Sequence, residues 1–240
     1  MKKLLLLSSI AITLSSCNNF NWNIKPSGQI INDTVSVSKY VTLLNNSSAN
    51  IELDKNIDPN KIVIIGDKNF IENLNIESNN NELSISNTKD VSFNTRNSPL
   101  IIKINNPNLQ KAMIAGSGSI ATNNVTITSD IDFNISGAGT IDVDVNNSNT
   151  NIYVSGSGSV FLNGKSEQLK ASMSGAGNLN AEKLQNTTAT IEISGAGNAK
   201  VNTTEELSVR ISGVGNLNYK NYSNLKINKQ ISGIGSITEY

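Results

Sequence analysis

The sequence predicts an all-β fold, a β-solenoid whose coils are each about twenty residues long. Three observations support this prediction. The motif Gly-x-Gly recurs seven times, at steps of 21, 19, 19, 20, 18 and 20 residues. Each motif lies between two apolar residues at a constant spacing, and the flanking segments alternate between apolar and polar residues. Because no helical run separates the motifs, alternating βαβ units are excluded.

The seven motifs contain fourteen of the seventeen glycines of the chain. They are Gly116 and Gly118, Gly137 and Gly139, Gly156 and Gly158, Gly175 and Gly177, Gly195 and Gly197, Gly213 and Gly215, and Gly233 and Gly235. Two glycines of equal parity remove both side chains from one face of an extended segment, so the backbone can turn sharply there or approach the core, and a positive φ carries no penalty. We interpret these residues as structural corners. Their spacing matches neither a phosphate-binding loop nor the calcium-binding nonapeptide repeat.

An apolar residue lies two positions before the first glycine of each motif, and another lies two positions after the second glycine. The pairs are Ile114 and Ile120, Ile135 and Ile141, Val154 and Val160, Met173 and Leu179, Ile193 and Ala199, Ile211 and Leu217, and Ile231 and Ile237. Their separation of six residues is even, so both members point to the same side of an extended segment. In a stack of coils these residues form columns, and the columns predict the core.

The segment 33–107 lacks the motif but carries weaker strand patterns. We predict strands at 41–44, 51–53, 62–65, 74–76, 83–85 and 100–104. One solenoid domain is therefore expected over 33–240, with irregular coils at 33–107 and regular coils at 108–240. The irregular part is expected to include a cap for the open end of the stack.

The first seventeen residues are typical of a bacterial export signal. Two lysines precede an apolar run of about eleven residues, which is too short to span a bilayer as a helix. Cys17 is the only cysteine and follows a Leu-Ser-Ser tripeptide, which resembles the lipobox of lipoproteins. We predict a signal peptide at 1–16, a diacylglycerol anchor on Cys17, and a tether at 17–32. The residue directly after the predicted anchor cysteine is Asn18 and not Asp, which permits sorting of the lipoprotein to the outer membrane.

Composition argues against most catalytic classes. The chain contains no histidine, which removes the commonest general base and the usual zinc ligand. Without the two signal lysines it carries 17 basic and 19 acidic residues, a balance that gives no reason to expect nucleic acid as a partner. We predict no enzymatic activity, no cofactor and no metal site.

One acidic group leaves an alternative open. It consists of Asp130, Asp132, Asp142 and Asp144. Three of them alternate with apolar residues that should point inward, so Asp132, Asp142 and Asp144 are expected to face solvent. The alternative is a calcium site or the carboxylate pair of a sugar-cleaving enzyme.

The combined pattern resembles the head GIN domain family of putative auto-transporter adhesins. The resemblance rests on the repeated Ser-Gly-[Ala/Ser]-Gly units, on the segment 107–111 before the first unit, and on the stretch 62–87 with its Ile-Gly-Asp turn. It extends over about residues 33–240 and implies a right-handed parallel β-helix with an adhesin role. No catalytic residues come with it. The sequence departs from the pattern where the middle residue becomes Val214 or Ile234.

Three columns of small residues follow from the repeat if the extended segment continues through the glycines. The first column comprises Ser136, Ser155, Ser174, Ser194, Ser212 and Ser232. The middle column comprises Ser117, Ala138, Ser157, Ala176, Ala196, Val214 and Ile234. The third column comprises Ser119, Thr140, Ser159, Asn178, Asn198, Asn216 and Ser236. Either the columns form a flat outward face for binding or packing, or the middle column points inward at a corner and fills the core.

These features together predict a non-catalytic, lipid-anchored protein of the bacterial cell envelope, at the outer membrane and on its periplasmic or external side. Expected partners are the membrane, through the lipid, and a glycan, a protein or a second copy of the chain, through the solenoid. Two alternatives stay open at this stage. One is a polysaccharide-cleaving enzyme on the same fold, and the other is a structural scaffold in the periplasm.

Overall fold

The computed structural model describes residues 22–88, 91–95 and 97–240. The predicted signal peptide and Cys17 lie outside the described residues. Strands make up 64% of the structure and helix 2%. None of the helices in the described part of the chain is long and apolar enough to cross a membrane.

The first half of the described chain contains nine strands and one short helix. They are β1 (Trp22–Ile24), β2 (Ile30–Ser36), β3 (Thr42–Asn46), β4 (Asn50–Asp54), β5 (Lys61–Asp67), α1 (Lys68–Glu72), β6 (Leu74–Asn79), β7 (Glu82–Asn87), β8 (Val91–Phe93) and β9 (Ile101–Ile104). All six strands predicted here are present, within a few residues at their ends. The pattern did not predict β1, β2, β8 or α1.

The second half of the chain consists of strands only, within the residues described. They are β10 (Lys111–Ile114), β11 (Ser119–Asn123), β12 (Ile131–Ile135), β13 (Thr140–Val154), β14 (Ser159–Met173), β15 (Asn178–Ile193), β16 (Asn198–Ile211), β17 (Val214–Tyr219), β18 (Lys226–Ile231) and β19 (Ile234–Glu239).

From Lys111 onward the chain winds through about six consecutive turns of a β-solenoid. Each turn places one segment before the Gly-x-Gly corner, on face A, and one segment after it, on face B. Equivalent segments of successive turns pair in parallel, as in the register of Ile135 with Val154 on face A and Ile141 with Val160 on face B. The all-β solenoid predicted from the repeat is thus confirmed.

The strands of the regular coils are long. β13 to β16 run for 14 to 16 residues, from one Gly-x-Gly corner to the next. Parallel pairing continues around the side opposite the glycines, which we call the second corner (146–149, 165–168, 185–188 and 202–206). The three register shifts occur at or before this corner, between Phe161 and Asn163, between Ala181 and Gln185, and between Asn186 and Thr188. Differences in coil length are therefore absorbed away from the glycines.

The first half of the chain does not stack in sequence order. β3 and β4 lie directly against the first Gly-x-Gly coil, since β3 pairs with β10 and β4 pairs with β11. The next coil outward consists of β7 and β9, which come later in the chain and pair with β3 and β4. The coil 42–54 is thus inserted between 82–104 and 111–123.

The stack ends at this side in antiparallel strands. β6 pairs antiparallel with β7, and β5 pairs antiparallel with β9 and carries β2 on its other edge. The helix α1 connects β5 to β6 and so runs from one face to the other across the end of the solenoid. Its Phe70 is fully buried and stacks on Phe93, with ring centroids 5.1 Å apart. This end of the core is closed by the chain itself.

The tether predicted at 17–32 differs from the structure within the described residues. β1 pairs in parallel with β8, through Ile24 and Phe93, and β2 begins at Ile30 and pairs with β5. Between them, the Asp67 carboxylate accepts hydrogen bonds from the backbone N–H groups of Ser27 and Gly28. The residues from Trp22 onward are therefore part of the body, because backbone pairing outweighs the turn-forming composition that suggested a tether.

The apolar columns form the core, as predicted. The first six of the seven apolar pairs are at most 2% exposed on both members. In the last pair, Ile231 is 45% exposed and Ile237 is half-buried, because no further coil of the described chain lies over them.

Candidate binding surface along the glycine corner

The glycines are required by the distance between coils at the corner. A Cβ built on Gly158 would lie 2.5 Å from Cγ2 of Ile135 and 2.6 Å from the carbonyl oxygen of Gly139 in the preceding coil. Real Cβ atoms do not approach so closely, so only glycine fits. The fourteen motif glycines have negative φ, which corrects the expectation that positive φ contributes here; Gly28 and Gly164 are the glycines with positive φ in the described chain.

The middle residue of every Gly-x-Gly motif points outward. Ser117, Ala138, Ser157, Ala176, Ala196, Val214 and Ile234 are all exposed. The hypothesis that this column fills the core is wrong, because the alternation of inward and outward residues continues through the corner. Both glycines take the inward positions, where a side chain would collide with the coil below.

The predicted serine column lies beside the middle column and is exposed along its whole length. Ser136, Ser155, Ser174, Ser194, Ser212 and Ser232 follow the last inward residue of face A in successive coils. Backbone hydrogen bonds connect the corners, for example from Ser155 N–H to the Ile135 carbonyl at 3.0 Å. The surface is therefore held rigid from one coil to the next.

The third column becomes a hydrogen-bonded ladder toward the C-terminal coils. The amide of Asn198 donates to Asn178 at 3.3 Å, and the amide of Asn216 donates to Asn198 at 3.2 Å. Ser236 continues the ladder, since its hydroxyl donates to the Asn216 side-chain oxygen at 2.8 Å. Stacked amides of this kind are typical of parallel coils in register. We call the three columns together the corner face.

The corner face changes its chemistry at the C-terminal end. Val214 is 58% exposed and Ile234 is 77% exposed, whereas the other five middle residues are serine or alanine. An uncharged surface of small polar groups thus ends in two exposed β-branched side chains. Both sequence neighbours of Ile234 are glycines, Gly233 and Gly235, so no adjacent side chain in the strand covers it.

The acidic group predicted as an alternative site is spread over the surface. Asp142 is exposed and Asp132 and Asp144 are half-buried, each at an outward position, as expected. Asp130 accepts hydrogen bonds from the backbone and side-chain amides of Asn149 at 2.8 and 2.7 Å. These bonds, with the Asn149 side chain first, lower the pKa of the Asp130 carboxyl although partial burial raises it.

A low pKa fits an ionised carboxylate and does not fit a general acid. Asp130 and Asp132 line an open groove of about 530 Å³ together with Asn149 and Asn151. Among the described residues, no three side chains of His, Cys, Asp or Glu are grouped so that they could hold a metal ion. The arrangement therefore offers hydrogen-bonding groups to a polar ligand.

The second corner carries a feature that the sequence pattern did not reveal. Ser166, Asn186 and Thr203 stack above one another in register at inward positions and are at most 3% exposed. Asn186 and Ser166 also line a groove of about 280 Å³. In the sequence, each of these coils has a polar residue at a position where the alternation points inward. Register shifts at this corner obscure that alternation.

The exposed aromatic residues of the described chain do not form a row. Tyr153 is 48% exposed on face A, Phe161 is 41% exposed on face B, and Tyr240 is 45% exposed after the last strand. Stacking of successive sugar rings needs several aromatic side chains along one line. In the described part of the chain, recognition of a ligand at the corner face would rest on hydrogen bonds and on shape.

The described structure is a β-solenoid whose corner face consists of small uncharged residues and ends in Val214 and Ile234. The sequence matches the family described as "Putative auto-transporter adhesin, head GIN domain" over residues 39–223. This match includes well over half of the chain, and the protein belongs to this family. No curated protein matches the sequence.

Several solved structures share the fold. A putative adhesin from Bacteroides fragilis aligns with a TM-score of 0.81 and 23% identity, over 90% of this chain and 100% of that chain. A putative lipid binding protein from Parabacteroides distasonis aligns with a TM-score of 0.72 and 20% identity, over 91% of this chain and 100% of that one. A putative adhesin from the same species aligns with a TM-score of 0.67 and 23% identity, over 91% and 100%. At these identities the likeness shows the fold.

Proposed function

We propose that this protein is a non-catalytic, lipid-anchored protein of the bacterial cell envelope that binds an extended polar polymer, such as a glycan, along its corner face. The observation that carries the proposal is the outward orientation of all three columns of that face. Family membership supports a binding role, because the family is described as one of adhesins.

The shape of the corner face favours a polymer over a small ligand. The serine column repeats once per coil, at the spacing of about 4.8 Å that separates paired strands. The Asn178–Asn198–Asn216 ladder runs in the same direction and presents amide groups at that spacing. A linear molecule lying along the solenoid could meet the same hydrogen-bonding groups several times, so that weak contacts add up.

The chemistry of the chain supports binding without turnover. The sequence contains no histidine, and its one cysteine is at the predicted lipobox. The Asp130 carboxyl has a lowered pKa and is held by Asn149. A polysaccharide-cleaving enzyme would need one carboxylic acid with a raised pKa beside a second carboxylate.

The anchor is tested by replacing Cys17 with Ser. The proposal predicts that the mature wild-type protein is found in the membrane fraction and that the Cys17→Ser protein is soluble after cell disruption. Retention in the membrane fraction of a variant whose signal peptide has been removed would show that the lipid is not the anchor.

The location is tested by protease treatment of intact cells. Loss of the solenoid while a periplasmic control protein survives would support a role in adhesion. Protection until the outer membrane is opened would contradict that role and favour the periplasmic scaffold.

The binding face is tested with Ala176→Glu combined with Ala196→Glu. Both residues are exposed on the corner face, so folding should be unchanged, while two new charges should abolish adsorption to a panel of immobilised polysaccharides. Lys170→Glu with Thr190→Glu is the matched control, since both residues are exposed on face A. Equal loss in both double variants would argue against the corner face, and release of new sugar ends by the wild-type protein would favour the enzyme.

A further inference from the structure

The last described coil of the solenoid has an open edge. β18 pairs only with β16, and β19 pairs only with β17, within the described chain. The outer N–H and C=O groups of these two strands therefore have no strand beside them, and such an edge is a template for pairing with another chain. At the opposite end, the equivalent edges of β7 and β9 are occupied by the antiparallel strands β6 and β5.

The inward positions of the last coil contain two charges. Lys229 lies in register over Val209, and Glu239 lies over Tyr219, both at positions that are buried in the preceding coil. The Lys229 ammonium bends onto Tyr219, with Nζ donating to the phenol oxygen at 3.2 Å and lying 4.7 Å from the ring centroid. Inward charges of this kind discourage indiscriminate pairing at an edge.

The last coil is chemically self-complementary about Ile234. The residues one position away are Gly233 and Gly235, those three away are Ile231 and Ile237, and those five away are Lys229 and Glu239. In an antiparallel strand pair, opposite residues are equidistant from a common centre. A twofold axis at Ile234 would therefore place β18 of one copy beside β19 of the other.

From this symmetry we propose that two copies of the protein associate end to end through β18 and β19, with the twofold axis at Ile234. Ile231 of each copy then packs against Ile237 of the other, and Lys229 of each copy meets Glu239 of the other. The interface has two apolar contacts and two ion pairs, and the free backbone groups of both edges are paired. The arrangement repeats at the C-terminal end the antiparallel pairing that closes the N-terminal end.

The exposed apolar residues fit the same arrangement. Ile234 lies on the axis and contacts Ile234 of the second copy, which covers a side chain that is 77% exposed in one copy. Val214, one coil below, lies at the rim of that contact. Large apolar residues occur at the middle position only in these two coils, where the proposed interface needs them.

A closed dimer is expected, and not a fibre. A head-to-tail stack would require the N-terminal end to accept parallel strands, but that end finishes in β2, β6 and α1. Only like ends are complementary, so the contact uses the same surface of both copies and closes after two. This inference does not depend on the polymer-binding role.

Cysteine cross-linking in the full-length protein on intact cells tests the proposal. In the dimer, the two copies of residue 234 are about one strand spacing apart, about 4.8 Å, which is within the reach of a disulfide. Ile234→Cys should therefore give a disulfide-linked dimer on a non-reducing gel. The matched control is Ala196→Cys, on the same column two coils away, where the two copies would be about 24 Å apart at that coil spacing.

The expected result is a dimer band for Ile234→Cys and none for Ala196→Cys or the wild-type protein. Cross-linking of both variants would show side-by-side packing of corner faces and would overturn the proposal, as would the absence of any cross-link. The register is tested with Lys229→Glu in the cysteine background, which should weaken dimerisation about tenfold because each ion pair becomes a repulsion. Adding Glu239→Lys should restore the dimer, and failure to restore it would contradict the proposed register.

Discussion

The two ends of this solenoid protect their outermost strand edges in different ways. At the N-terminal end, the exposed edges of the stack are covered by antiparallel strands, and the end of the core is covered by Phe70 on α1. At the C-terminal end, the last described coil has free edges, and two of its inward positions carry Lys229 and Glu239. The first end is closed by burial and the second is protected by charge.

The difference shows where the stability of the molecule should lie. Each middle coil is paired on both sides and buries its apolar columns completely, whereas β18 and β19 are paired on one side and their residues are mostly exposed. Repeat proteins gain much of their stability from contacts between neighbouring repeats, so a coil with one neighbour should open most easily. The N-terminal end avoids this weakness because its last strands also contact the cap.

The largest loss of stability is expected when a corner glycine in the middle of the stack is replaced by alanine. In Gly175→Ala, the new Cβ meets backbone atoms of Gly156 and Ser155, which cannot move without separating two coils. The free energy of unfolding should fall by about 3–5 kcal/mol, measured by urea denaturation. Gly235→Ala in the last coil should cost much less, because that coil can shift outward. Equal losses would mean that the coil with one neighbour is held as firmly as the middle ones.

The closed end is tested by emptying its core. Phe70→Ala removes a fully buried ring that stacks on Phe93, so the free energy of unfolding should fall by about 3–5 kcal/mol. Ile231→Ala at the open end should cost less than about 1 kcal/mol, since that side chain is 45% exposed. A smaller loss for Phe70→Ala than for Ile231→Ala would contradict the assignment of α1 as the cap.

Low pH should destabilise the N-terminal end of the solenoid before the rest of the molecule. Burial raises the pKa of Asp67, but N–H donors of Ser27, Gly28 and Asn69 and the Ser27 hydroxyl outweigh it, so the pKa lies below its ordinary value of 3.8. The stabilisation is complete above that value and is lost as the pH falls through the lower pKa of the folded state.

Protection of the amides of residues 24–36 against hydrogen exchange, relative to the intrinsic rate at each pH, should therefore fall below about pH 4, the range of unperturbed carboxyl groups. Asp67→Asn should produce the same opening at neutral pH, with a loss of about 1.5–3 kcal/mol. Asp142→Asn is the matched control, because that carboxylate is exposed. An Asp67→Asn protein with unchanged exchange in this segment would contradict the role of Asp67.

The smallest change in stability is expected in the interior of the solenoid, at the second corner. The Thr203 hydroxyl is buried without a hydrogen-bond partner in the described chain. Thr203→Val keeps the shape and removes the polar atom, so stability should rise by up to about 1 kcal/mol. Thr190→Val on the surface is the control. A clear loss of stability in Thr203→Val would show that the hydroxyl has a partner.

The regular half of the fold could be predicted because its determinants are local. The Gly-x-Gly period located the corners, and the apolar residues on either side, such as Ile135 and Ile141, located the core. The same pattern could not show that Ile231 stays exposed, because burial there depends on whether another coil follows. It also left open the direction of Ala138, which the close approach of the glycines to the preceding coil decides.

The first half could be predicted strand by strand but not as an arrangement. The alternating pattern identified β3 to β7 and β9, but it does not indicate which strands pair with strands far away in the sequence. The insertion of β3 and β4 between the coil of β7 and β9 and the coil of β10 and β11 depends on contacts between residues 40 to 70 positions apart, such as Asn50 with Ser119. A cap was expected in this half, but the helix α1 within it was missed, since a five-residue helix has too few turns to give a period.

Hydrogen exchange measured by mass spectrometry at two protein concentrations tests the central claim most directly. The account predicts that amides in β5, α1 and β6 exchange slowly at both concentrations. Amides in β18 and β19 should exchange rapidly in dilute protein and slowly in concentrated protein, when a second copy covers the edge. Slow exchange in β18 and β19 at every concentration, or faster exchange at the N-terminal end, would contradict the distinction between a closed and an open end.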